Sequence, residues 1–84
     1  MDLQCEIKKY LIKNDYKPNY LWCAQNYLNG FLVNLPGYNG ATMQDFQRIM
    51  SDYCEMGYFK SENGIKGLPS FRLTQQGYQI LLTK

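Results

Sequence analysis

Three thiols, seven carboxylates and no histidine are what this 84-residue chain offers for chemistry. Cys5, Cys23 and Cys54 are widely spaced, form no CxxC pair and have no imidazole to complete a zinc set, so reduced, mostly buried thiols are expected and no metal. General acid-base or nucleophilic catalysis needs a tuned side chain beside a partner, and the acids are scattered with no nucleophile in such a setting. An enzyme is not expected, nor is a cofactor. The turn Pro36-Gly37-Tyr38-Asn39-Gly40 precedes a helical stretch, as phosphate-cradling loops do, but it carries neither GxxxxGK nor GxGxxG. The remaining chemistry is hydrogen bonding: Gln44, Gln47, Arg48 and Ser51 recur at i, i+3, i+4 and i+7, a spacing that projects four polar side chains from one helix face.

A helix must hold that stripe, and its other side must be buried. Phe46, Ile49, Met50 and Tyr53 supply the inward face of a helix from Thr42 to Met56, with Thr42 as cap, Asp45 in a capping-box-like place and Gly57 as the left-handed stop. Upstream, Leu3, Ile7, Tyr10 and Leu11 mark a first helix from Asp2 to about Asn14. The 14–19 stretch breaks it, since Pro18 disfavours helix before it and Asn and Asp favour turns. Tyr20, Ala24, Tyr27, Leu28 and Phe31 read as a second helix capped by Asn19 and ending near Gly30. Trp22 lies about half a turn from that stripe at ~100° per residue, either wedged against the first helix or left on a surface.

After Gly57 the period changes. Tyr58–Ser61 and Phe71–Thr74 are short β-prone segments, Glu62-Asn63-Gly64 and Gly67-Leu68-Pro69-Ser70 are turns, and the whole reads as a hairpin with an irregular tip bearing Lys66. Leu73 alternates onto the face of Phe71 to cover the helices. Thr74 caps a last helix whose apolar edge is Tyr78, Leu81 and Leu82.

Length and composition fit a single domain over residues 1–84: four Phe, eight Tyr, one Trp and a 45% hydrophobic fraction can fill one core. The amino terminus is charged and interrupted, with neither the apolar run of a signal peptide nor a membrane span, and a cytosolic location is expected. The net charge is only +2, but it is uneven. Residues 57–84 set Lys60, Lys66, Arg72 and Lys84 against Glu62, whereas residues 42–56 set Arg48 against Asp45, Asp52 and Glu55.

The carboxy-terminal half resembles the winged helix-turn-helix regulators of bacteria and their viruses, including MarR-like and PadR-like proteins. The residues that carry the resemblance are Met50 to Lys60 and then Phe71-Arg72-Leu73-Thr74-Gln75-Gln76-Gly77, an apolar residue plus glycine at a helix end followed by the aromatic-Arg-Leu-Thr-x-x-Gly closure of a wing. The resemblance implies an α+β winged helix-turn-helix fold of three helices, a β-hairpin wing and a C-terminal helix. It further implies a DNA-binding regulator of a bacterium, phage or mobile element, with the 42–56 helix in the major groove of double-stranded DNA. Gln44, Gln47, Arg48 and Ser51 are then the base-reading residues, since Gln pairs bidentately with adenine and Arg with guanine. Lys60, Lys66 and Arg72 become the phosphate contacts, which position without reading sequence. Small regulators of this kind usually act as homodimers. Two features depart from the family: the 34–41 connection is longer than its short turn, and the 42–56 helix is net acidic. The competing expectation is a protein-binding adaptor or inhibitor without a nucleic-acid role. Trp22 and Tyr38 are the anchors in that reading, because a large aromatic in a glycine-flanked turn has little core to join.

Overall fold

In the computed structural model, which describes residues 2–64 and 67–83, the chain is α+β, with helices packed on a small three-stranded antiparallel sheet. Helix α1 (Leu3–Lys13) starts where the Asp2 carboxylate accepts from the amides of Gln4 and Cys5 at 3.1 and 3.4 Å. Negative charge at that end and Lys13 in the last turn both oppose the helix dipole. Its buried positions are Ile7 and Leu11.

The next segment departs from the helical reading. Asn19 takes a left-handed φ of 75°, tolerated by Asn more than by most residues. Its amide donates to Leu73 O at 2.7 Å and Leu73 N donates to Tyr20 O at 2.9 Å. The chain is thereby drawn into strand β1 (Leu21–Trp22). Helix α2 is confined to Ala24–Gly30, with Cys23 before it giving no side-chain cap. Tyr20, read as the first residue of the buried stripe, is 50% exposed. Trp22 alternates into the core instead: its indole stacks on Tyr10 with centroids 5.2 Å apart and meets Phe46 edge-on at 5.3 Å.

A 3-10 turn (Leu32–Asn34) buries Leu32 and leads to helix α3 (Gly40–Glu55). Asn39, rather than Thr42, caps α3. The Asn39 side chain accepts from the amides of Ala41 and Thr42 at 2.8 and 3.2 Å, while Thr42 Oγ1 accepts from Asn39 N, a reciprocal capping box. The early start and the 3-10 turn take up much of the long connection. Phe46, Ile49, Met50 and Tyr53 are buried as read, and Gly57 ends the helix region at φ 83°.

Strands β2 (Phe59–Asn63) and β3 (Pro69–Leu73) form the hairpin, shifted toward the tip relative to the sequence reading, and β3 is central in the order β1-β3-β2. Thr74 caps the short terminal helix α4 (Gln75–Gly77), accepting from Gly77 N at 3.0 Å and donating to Gly57 O at 2.6 Å. π-type winding over Tyr78–Leu82 continues it. Tyr78, Leu81 and Leu82 pack against a core centred on Trp22, Tyr27, Phe46, Phe59 and Leu73.

Candidate functional site

The row opposite the buried face of α3 is free. Gln44, Gln47, Arg48 and Ser51 are all exposed, and the inward locking of Phe46, Ile49, Met50 and Tyr53 fixes the rotation of the helix that presents them. Arg48 keeps 72% of its side-chain surface and leans on Asp45, Nη2 to Oδ1 3.1 Å. Exposed pairs of this kind are weak and screened by salt, so the guanidinium can exchange that partner for another. Asp52 and Glu55 are exposed as well, in the last turns of α3, away from the end that bears Gln44.

Gln47 and Ser51 also line a groove of about 270 Å³ between α3 and the hairpin, with Cys54 beside them, Ser61, Pro69 and Phe71 across it, and Tyr27 at its base. The Tyr27 hydroxyl donates to Pro69 O at 3.0 Å, tying α2 to β3 under the groove. Burial pushes the Cys54 thiol above its ordinary pKa, which keeps it protonated and weakly nucleophilic. Ser61 belongs to this site and carries no signal in the sequence, because only strand pairing sets it across from α3.

The phosphate-contact residues divide. Lys60 is exposed on β2. Arg72 is not free: Nε and Nη2 hold the two carboxylate oxygens of Glu62, the latter at 3.0 Å, and Nη1 donates to Asn19 O at 2.6 Å. Arg72 is therefore engaged within the sheet, with 36% of its side-chain surface exposed, and a phosphate would have to compete with Glu62 for it. Lys66 lies outside the described residues. No family model matches the chain, and no curated protein or solved structure matches it.

Of the two aromatic anchors, Trp22 has 0% exposure and cannot touch a partner, whereas Tyr38 is 37% exposed in the turn before α3. Of the two places open to the indole, it takes the one against the first helix, stacked on Tyr10, but reaches it from a strand and not from the far side of a second helix. A second concavity of about 400 Å³ lies between α2 and β3, lined by Cys23, Ala24, Gln25, Leu28, Asn29, Leu68 and Ser70. Among the described residues no three His, Cys, Asp or Glu side chains are grouped to hold a metal. No described helix is long and apolar enough to cross a membrane.

Proposed function

We propose that the chain is a winged-helix DNA-binding domain of the transcription-regulator type, with α3 as the helix that enters the major groove and the β2–β3 hairpin as the wing. The element order, three helices with a short strand after the first and a hairpin after the third, agrees with that fold. The observation that carries the reading is the single exposed row of Gln44, Gln47, Arg48 and Ser51 on a helix whose other face is immobilised in the core.

Recognition helices present their amino-terminal residues to base edges. An approach of that kind uses Gln44, Gln47 and Arg48 and leaves Asp52 and Glu55 at the far end, where they oppose phosphate least. With Arg72 occupied by Glu62, few cations remain for the backbone, so base contacts carry a larger share of affinity than is common. The salt slope should then be shallow, about −1 to −3 on a log-log plot for one to three neutralised phosphates.

Titration of duplex DNA by fluorescence anisotropy at two salt concentrations tests the reading. Arg48→Ala should erase discrimination at one base pair, worth about 1 to 3 kcal/mol, while Lys60→Ala should weaken all sequences alike. The protein-binding reading draws on exposed Tyr38 and on the net acidity of α3. Under it neither substitution alters DNA affinity, and Tyr38→Ala weakens capture of a protein partner.

A further inference from the structure

The hairpin has one open edge. β3 lies between its neighbours, and its hydrogen bonding alternates: Leu73 N donates to Tyr20 O on the β1 side, whereas Thr74 N donates to Tyr58 O on the β2 side, as does Gly64 N to Leu68 O near the tip. With the register Phe59↔Leu73, Lys60↔Arg72, Ser61↔Phe71, Glu62↔Ser70 and Asn63↔Pro69, the pairs that exchange bonds within the hairpin are the even-numbered ones on β2, because antiparallel ladders alternate bonded and non-bonded pairs. The N–H and C=O groups of Phe59, Ser61 and Asn63 therefore point away from β3. Among the described residues none of these groups has another backbone partner.

We propose that this edge pairs with the same edge of a second copy of the chain, giving an antiparallel, two-fold homodimer centred on Ser61. The inference rests on the open edge and not on the DNA reading, but it draws on Lys60, which that reading gives to phosphate, so the two assignments compete for one side chain. An open row of backbone donors and acceptors is complementary to an extended backbone of matching alternation. A two-fold axis at Ser61 sets Ser61 opposite Ser61, Phe59 opposite Asn63 and Asn63 opposite Phe59, each a bonded pair of the required parity. It also engages all five residues of β2. The same register sets Lys60 of each copy against Glu62 of the other as non-bonded neighbours, the closest cross-strand positions, where opposite charges attract. Both side chains stand on the sheet face away from the groove, Lys60 exposed and Glu62 half-buried. A single strand thus sets its own Lys60 against its own Glu62 across an isologous contact, with Lys60 of the second copy sharing the carboxylate that Arg72 already holds. Two hairpins joined this way make one continuous sheet of six strands.

Sedimentation of the full chain across a concentration series, with amide exchange read at the same concentrations, tests the proposal. Expected are a rise toward twice the chain mass and, in step with it, new protection at Phe59, Ser61 and Asn63, with Lys60 and Glu62 protected throughout. Ser61→Pro removes an outward N–H and leaves the bonds to β3, a substitution edge strands accept; it should stay monomeric with the parent's circular dichroism. Lys60→Glu should lower the dimer fraction by setting like charges opposite, and added salt should restore it. A parent that stays monomeric, a dimer indifferent to both substitutions, or a dimer without the alternating protection would overturn the assignment. If Ser61→Pro fails to fold, the parent's exchange pattern and Lys60→Glu still decide.

Discussion

Arg72 grips Glu62 across the hairpin, Nη2 to Oε1 3.0 Å, and through Nη1 also holds the carbonyl of Asn19 at 2.6 Å. One guanidinium thereby joins both neighbours of the central strand: β2 by its side chain, and the left-handed turn leading into β1 by its backbone. Arg72 and Lys60 are directly opposite in the register, so the diagonal carboxylate of Glu62 also offsets a like-charge pair.

This clasp gives a pH prediction. The hydrogen bond from Arg72 holds the Glu62 carboxyl below its ordinary pKa. A group depressed in the folded state stabilises it above its unfolded pKa, and the contribution fades as pH falls through the depressed value. Acidification through and below the carboxylate range should therefore lower the Tm of the parent more than that of Glu62→Gln, whereas the two curves should run parallel above it. Parallel curves throughout would show that the pair adds nothing.

The core makes a second prediction. Trp22 and Phe46 are both 0% exposed and their rings meet edge to face, so Trp22→Ala and Phe46→Ala should each cost about 3 to 5 kcal/mol, and Ile49→Ala about 2 to 5 kcal/mol. Denaturant melts measure these costs. The single Trp should also emit in the blue, apolar range and resist iodide quenching until the fold is lost. Ready quenching in the native state would contradict its burial.

A third prediction separates two glycines. A Cβ on Gly77 would lie 2.1 Å from the carbonyl oxygen of Tyr58, whereas one on Gly40 meets nothing within 4 Å. Gly77→Ala should cost about 1 to 3 kcal/mol or more through overpacking, while Gly40→Ala should be neutral or slightly stabilising, as Ala is preferred to Gly in helices. Thermal melts of the two variants give the comparison. The Thr-x-x-Gly closure thus has a physical basis: Thr74 caps α4, and Gly77 lets α4 approach Tyr58 at the start of β2.

The sequence made some of this legible and hid the rest for definite reasons. The rotation of α3 was readable because Phe46, Ile49, Met50 and Tyr53 repeat at helical spacing with polar residues between them. The hairpin was readable from the change of period after Gly57. Strand β1 was not, because two residues show no period and Tyr20, Ala24, Tyr27, Leu28 and Phe31 happen to fall at helical spacing through it. The cap moved from Thr42 to Asn39 because both members of the box are polar and three apart, so the pattern does not say which comes first. For the candidate site, the exposed row on α3 follows from helical geometry alone, but the pairing of Arg72 with Glu62 depends on strand register, a long-range property.

Reading of duplex DNA by the α3 row is tested most directly by titrating labelled random duplex at ~50 mM salt, where phosphate attraction is strong. Saturable binding by the parent is expected, weakened alike on every sequence by Lys60→Ala and selectively by Arg48→Ala once a preferred site has been selected. No binding by the folded parent at that salt would contradict it.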